Sequence, residues 1–225
     1  FGGRVVKCGD GALQFREGQR VAVKNAAPCQ RCPECLDGKP RLCRSVIVNK
    51  SGHDQFFLAD ERSLTNSDGM DKPLLGVVEP LGVAHEVVAA AHIEPGDSVL
   101  VFGLGVIGLL VGRLCSLRGV DTVIGLARHS RRFALAEQFG FSACFESDAK
   151  DLVQNIQDVC PGLPNKILLC APPGCLNEVM PLVRKEGKIV ITGLNEEAWG
   201  YATPFDFEKL IFKHATITGA FAYPN

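Results

Sequence analysis

The sequence lacks long hydrophobic runs and net charge, and each absence excludes a class of function. Its most apolar stretch, residues 98–110, is interrupted by glycines and is shorter than the roughly 20 residues that span a bilayer, so we expect no membrane helix. Formal net charge is −1, which provides no basic surface for nucleic acid or an anionic membrane. No basic and apolar leader precedes Phe1, so we interpret the sequence as a processed chain or a fragment.

Cysteine, in contrast, is abundant. The chain has 10 cysteines in 225 residues. Four of them lie within residues 29–43, and the others are scattered among apolar neighbours. This distribution is typical of a reduced, cytoplasmic protein with one thiolate cluster, and it argues against a disulfide framework.

The clustered cysteines have the spacing of a metal site. Cys29, Cys32 and Cys35 are separated by two residues each, and Cys43 follows after a longer gap. Short gaps let one tight loop present three sulfurs, and soft thiolates suit tetrahedral zinc. Four thiolates leave no open position for water, so we predict a structural zinc. The alternatives are an iron–sulfur cluster or four unrelated cysteines.

The chain changes texture near residue 75. Residues 1–75 contain short β-like runs, among them Arg20–Val23 and residues 55–59, joined by polar loops. From residue 76 onward, apolar strands such as Ser98–Phe102 alternate with helical patterns. This alternation predicts parallel βαβ units, and six such strands make a complete doubly wound Rossmann sheet. We therefore predict an α/β fold with domains at 1–75 and 76–225.

A glycine motif opens the first of these helices. It follows an apolar strand, as a dinucleotide-binding fingerprint requires. Gly103 permits a tight turn, Gly105 lets the backbone approach a pyrophosphate, and Gly108 allows close helix–strand packing. The alternative is a simple glycine turn. The predicted cofactor loop consists of Gly103, Leu104, Gly105, Val106, Ile107 and Gly108.

The end of the second strand bears on the choice between the nicotinamide cofactors. An acidic residue at this point would bind the 2′-hydroxyl of NAD, but Ala127 stands there, and Arg128, Arg131 and Arg132 follow. Arginines suit a 2′-phosphate, so we predict NADP, with NAD and a solvated basic turn as alternatives. Ser130 is a candidate N-cap for the next helix.

Together these residues resemble the zinc-dependent medium-chain dehydrogenase/reductase superfamily, in particular the sorbitol and threonine dehydrogenase-like branch of the alcohol dehydrogenases. Residues 1–6 and 18–21 resemble the stretch after the family's Gly-His-Glu motif. The resemblance implies that residues 1–75 are a remnant of a GroES-like β domain, and that Glu79 joins a catalytic zinc site. On its own, Glu79 is an exposed first-turn carboxylate that complements a helix dipole. The family's other catalytic ligands would precede Phe1 and its closing segment would follow Asn225, so the chain would be truncated at both ends.

The resemblance also implies a function. The parent would be a zinc-dependent oxidoreductase transferring hydride between an alcohol or polyol and NAD(P), as a homodimer or homotetramer, and the fragment alone would be inactive. A zinc-free quinone or enoyl reductase of the same superfamily and a non-catalytic nucleotide-binding module are the alternatives. By resemblance, further cofactor-lining residues are Ala171, Gly193, Leu194, Ala220 and Phe221.

Overall fold

Residues 1–49, 52, 54–193 and 204–221 are described by a computed structural model. They divide into a first unit, Phe1–Val83 with Phe221, and a second unit, Ala84–Ala220. The point of division falls inside a helix rather than in a loop, and the domain boundary at residue 76 stays a prediction. Among these residues no helix is both long and apolar enough to cross a membrane.

The first unit is built from short antiparallel strands. A three-stranded sheet has the order β1-β2-β5, and β3 pairs with β4. One short helix, α1 (Pro33–Leu36), lies among the clustered cysteines. The strands are β1 (Gly2–Arg4), β2 (Arg20–Val23), β3 (Ala26–Ala27), β4 (Ile47–Val48) and β5 (Leu64–Asn66).

The run at residues 55–59 was expected to be a strand, and that expectation is wrong. All five residues are described, and none joins a sheet. Phe56 and Leu58 are exposed, whereas Phe57 packs edge-on against Phe1 with ring centroids 5.2 Å apart. A run of apolar residues forms a strand only where a neighbouring strand pairs with its backbone, and no strand among the described residues pairs with this segment.

The second unit contains the parallel sheet that the sequence predicts. After α2 (Val78–Ala91), six strands run parallel in the order β11-β10-β9-β6-β7-β8. In chain order within the sheet this is 3-2-1-4-5-6 read from the opposite edge, the order of a doubly wound dinucleotide fold. The strands are β6 (Ser98–Phe102), β7 (Thr122–Ala127), β8 (Ala143–Glu146), β9 (Lys166–Leu169), β10 (Lys188–Ile191) and β11 (Thr216–Gly219).

Helices cover both faces of this sheet. Because strand side chains alternate between faces, Val99 and Val101 of β6 belong to one apolar cluster, and Leu100 and Phe102 belong to the other. This double burial explains why β6 is apolar at consecutive positions. The helices of the second unit after α2 are α3 (Val106–Leu117), α4 (Phe133–Gln138), α5 (Leu152–Val159), α6 (Leu176–Val179) and α7 (Phe207–Lys213).

Ser130 does not cap α4, so that prediction is wrong. Ser130–Arg132 form a 3-10 turn, and α4 begins at Phe133. The backbone N–H of Ser130 donates to Oε1 of Glu146 at 2.9 Å. The turn is therefore tied to the end of β8 before the helix starts.

Candidate functional site

The four predicted cysteines lie together in the first unit. Their Sγ atoms are all within 4.8 Å of one another, and those of Cys32 and Cys43 are 3.9 Å apart. Tetrahedral zinc with Zn–S bonds of about 2.3 Å would place its sulfurs about 3.8 Å apart. The cluster therefore has the dimensions of a four-thiolate zinc site.

Local backbone geometry explains how the sequence gathers these sulfurs. Gln30 has a φ of 61°, which turns the chain directly after Cys29. The N–H of Cys32 then donates to Sγ of Cys29 at 3.3 Å. Pro33 begins α1, where proline costs no helical hydrogen bond. The N–H of Cys29 donates to Sγ of Cys43 at 3.3 Å, so backbone donors already face sulfur that would carry negative charge.

The ionisation of the cluster also fits a cation. The backbone N–H of Arg31 is the main cause that lowers the pKa of the Cys29 thiol to about 6. Burial is the main cause that raises the pKa of the Cys35 thiol to about 12, with the neighbouring Cys32 thiol adding to it. Four close sulfurs cannot all be thiolates without a positive charge among them. A divalent zinc ion would supply that charge.

The glycines of residues 103–108 each meet a separate geometric need. Gly103 has a φ of 101°, and a Cβ there would lie 2.8 Å from the backbone nitrogen of Ala171. A Cβ on Gly108 would lie 1.9 Å from the carbonyl oxygen of Gly103, so no larger residue fits without displacing α3. A Cβ on Gly105 would meet nothing closer than Nη1 of Arg132 at 3.8 Å. Gly105 is therefore free of local packing, as a point of approach for a ligand would be.

The loop ends at the N-terminus of α3. Gly105 is the N-cap and offers no side-chain cap, and the N–H of Leu109 donates to the Gly105 carbonyl at 3.0 Å. The N–H groups of Val106, Ile107 and Gly108 come before this first helical hydrogen bond. Such N–H groups, together with the positive end of the helix dipole, form an anion-binding site.

The predicted strand-end residues lie at the carboxyl-terminal ends of the parallel strands. Ala127 ends β7, and Gly103, Ala171, Gly193 and Ala220 follow within two residues of the ends of their strands. The chain leaves the neighbouring strands β6 and β9 toward opposite edges, which is the switch point where such sheets bind ligands.

Backbone contacts pack the carboxyl-terminal ends of β6, β9 and β10 closely together. The N–H of Ala171 donates to the Phe102 carbonyl at 2.9 Å. A Cβ on Gly193 would lie 1.9 Å from the carbonyl oxygen of Ala171. Phe221 is 51% exposed, and Leu194 lies outside the described residues. Gly103, Ala171 and Gly193 are therefore the predicted cofactor residues that lie against one another.

The arginines of the turn after β7 point to different places. Nη1 of Arg132 donates to the carbonyl of Leu104 at 2.9 Å, which puts a guanidinium against the glycine loop. Arg128 lies near Cys175. Burial raises the pKa of the Cys175 thiol, and the positive charge of Arg128 offsets part of that rise. Sequence reasoning missed Glu146, which is half-buried, pairs with Ala127 in the sheet and fixes Ser130. Its place at a strand end was the only available signal.

Glu79 stands apart from the other predicted metal ligands. It lies in the first turn of α2, as expected, but it is half-buried rather than exposed. Over the part of the chain that the structure describes, the four cysteines are the one group of three or more His, Cys, Asp or Glu side chains close enough to hold an ion. The structure therefore brings the cysteines together but does not assemble a second site around Glu79.

Two family models match this chain. The model of the zinc-binding dehydrogenases matches residues 106–225, and that of the alcohol dehydrogenase GroES-like domain matches residues 1–69. The first match covers more than half of the 225 residues. The two matched ranges fall on the parallel-sheet unit and on the cysteine-containing unit respectively.

Curated relatives and solved structures agree with these matches. The chain is 28% identical to sorbitol dehydrogenase of Halalkalibacterium halodurans, covering 98% of this chain and 66% of the relative. It is 26% identical to L-galactonate-5-dehydrogenase of Escherichia coli, covering 97% and 64%. A structure from Sinorhizobium meliloti, described as a zinc-binding dehydrogenase bound to NADP, superposes with a TM-score of 0.86 at 27% identity, covering 98% and 67%. The chain thus spans just under two thirds of the length of these two curated relatives.

Proposed function

This chain belongs to the zinc-binding dehydrogenase family, and from that premise we propose that it forms the cofactor-binding and structural-metal part of an alcohol or polyol dehydrogenase. The reaction would be hydride transfer between a CH–OH group and NAD(P). The observation that carries the proposal is the glycine loop between β6 and α3 at the switch point of the sheet.

The residues of the loop would hold the cofactor's pyrophosphate. The N–H groups of Val106, Ile107 and Gly108 would donate to phosphate oxygens, and Gly105 would allow contact without a side chain in the way. Ala171 and Gly193 are small enough to let the rest of the cofactor lie across the carboxyl-terminal ends of the strands. The nicotinamide supplies the hydride acceptor or donor when bound.

The four cysteines would hold a structural zinc. Their sulfurs lie within 4.8 Å of one another and would fill all four positions of a tetrahedral ion, so no position would remain for substrate or water. This site would stabilise the lobe of residues 29–43 and would take no part in the reaction.

NADP is the proposed cofactor. Ala127 offers no carboxylate to a free 2′-hydroxyl, and Arg132 already lies against the glycine loop. Arg128 directly follows the strand end and is exposed, so its guanidinium is accessible to a 2′-phosphate. Charge-assisted hydrogen bonds contribute about 1.5–3 kcal/mol each, and about 1.4 kcal/mol is tenfold in affinity.

Glu79 is the proposed contribution of this chain to a catalytic zinc site. Because Glu79 is not grouped with further ligands among the described residues, we expect the 225-residue chain by itself not to turn over alcohols. The same observation favours the second candidate, a non-catalytic nucleotide-binding module.

The test is an assay of the longest open reading frame that contains these residues, with alcohols and polyols and NADP. We expect oxidation by the wild type, and its loss in Glu79→Gln with NADPH affinity unchanged. Glu86→Gln is the matched control, since Glu86 lies on the same helix and the substitution is the same. Cofactor binding without any turnover in the wild type would support the non-catalytic module instead.

A further inference from the structure

One arginine outside the cysteine cluster is hydrogen-bonded to it. Nη1 of Arg62 donates to the carbonyl oxygen of Cys29 at 3.1 Å. The two residues are 33 positions apart in the chain, so this contact joins the cysteine lobe to a distant segment. Arg62 also lines a cavity of about 780 Å³ in the first unit, so the same side chain borders that cavity and contacts the backbone of Cys29.

Asp60 holds this arginine in place. Its Oδ1 accepts from Nε of Arg62 at 2.8 Å, and its Oδ2 accepts from Nη2 at 2.7 Å. Oδ1 also accepts from the backbone N–H of Arg62 at 3.0 Å. The two side chains are only 28–29% exposed. A two-pronged pair of this kind fixes the plane of the guanidinium, and that leaves Nη1 directed at Cys29.

The pair is anchored to the sheet of the first unit. The N–H of Ser63 donates to the Asp60 carbonyl at 2.9 Å, and the N–H of Lys24 donates to the Ser63 carbonyl at 2.9 Å. Ser63 is fully buried and directly precedes β5. The position of Arg62 is therefore determined by the sheet and not by the cysteine lobe.

Electrostatics gives this contact a role once the cluster holds metal. One zinc ion with four thiolates carries a net charge of −2, and a buried anion is costly unless a cation lies near it. The guanidinium of Arg62 donates to the carbonyl oxygen of Cys29, and this contact places a positive charge beside the cluster. Groups that orient ligands in this way typically change metal affinity about 10- to 100-fold.

We propose that Asp60 and Arg62 form a latch that positions Cys29 for metal binding and slows loss of the metal from the four-cysteine site. Both are positioning residues, since neither side chain is a ligand. The inference rests on the proposed structural zinc.

The test compares the rate at which zinc leaves the purified 225-residue chain. Excess chromogenic chelator is added to the wild type, Arg62→Gln, Arg62→Lys and Asp60→Asn. We expect Arg62→Gln to release zinc about tenfold faster or more. Asp60→Asn and Arg62→Lys should be intermediate, because each keeps part of the contact to Cys29.

Lys39→Gln is the control. Lys39 belongs to the same lobe, and its ammonium group pairs with the Asp37 carboxylate in an exposed position, where the two side chains are 52% and 65% exposed. We expect zinc release within twofold of the wild type. NADPH affinity, which reports the second unit, should be unchanged in every variant that folds.

Cobalt substitution provides a readout that general loosening would not mimic. We expect the sulfur-to-cobalt charge-transfer bands to shift in Arg62→Gln and to return toward wild type in Arg62→Lys. If Arg62→Gln and Asp60→Asn release zinc at the wild-type rate and have unchanged cobalt spectra, the proposed role of Asp60 and Arg62 is overturned, whereas the metal site itself is not contradicted. A wild type that binds no zinc would overturn both.

Discussion

Two neighbouring glycines of the cofactor loop should fail in different ways when each is replaced by alanine. A Cβ on Gly108 would lie 1.9 Å from the Gly103 carbonyl oxygen, whereas a Cβ on Gly105 has its nearest atom, Nη1 of Arg132, at 3.8 Å. Gly108→Ala should therefore destabilise the protein itself. Gly105→Ala should leave the fold intact and obstruct only the ligand that approaches it.

The magnitude for Gly108→Ala follows from the contact. Overpacking a tight position costs about 1–3 kcal/mol, and a contact below 2 Å belongs at the upper end. Alanine in a helix recovers up to about 1 kcal/mol relative to glycine. The net loss is then about 2 kcal/mol, and at 2–4 °C per kcal/mol for a domain of this size the midpoint of thermal unfolding should fall by about 4–8 °C.

The assay is thermal unfolding by circular dichroism combined with NADPH titration by calorimetry. Gly105→Ala should unfold at the wild-type temperature and bind NADPH at least tenfold more weakly, a loss of about 1.4 kcal/mol. An unchanged unfolding temperature for Gly108→Ala, or equal destabilisation by both variants, would refute this reasoning. Wild-type NADPH affinity in Gly105→Ala would show that the pyrophosphate does not approach there.

Other predictions follow from single contacts. Elemental analysis should find one zinc per chain in the wild type and markedly less in Cys32→Ser; full retention would contradict the four-thiolate site. Arg128→Ala and Arg132→Ala should each weaken NADPH binding more than NADH binding in parallel titrations, and equal losses would mean that the turn is only a solvated surface. Gly112→Ala should lower stability by about 1–3 kcal/mol in urea unfolding, since its Cβ would lie 2.1 Å from the ring of Phe141; wild-type stability would mean that the ring moves freely.

Patterns of neighbouring residues were sufficient for the architecture. The continuous apolar run of β6 predicted a strand, because a strand of a parallel sheet is buried on both faces. The apolar positions of α3 recur with helical spacing and predicted a helix. The structure and the family match confirm the doubly wound sheet and the relationship to zinc-binding dehydrogenases. The same kind of local information misled at residues 55–59, where an apolar run is present but no strand among the described residues pairs with it.

The sequence by itself determined which residues could be ligands, since the gaps between Cys29, Cys32, Cys35 and Cys43 limit how their sulfurs can be arranged. It also determined where glycine is needed, because the turn into α3 depends on adjacent residues. Only the tertiary structure decided that Arg132 lies against Leu104 and that Arg62 reaches Cys29. Those contacts join residues 28 and 33 positions apart, and no local pattern records them, because the direction of a long side chain depends on which elements the fold places beside it.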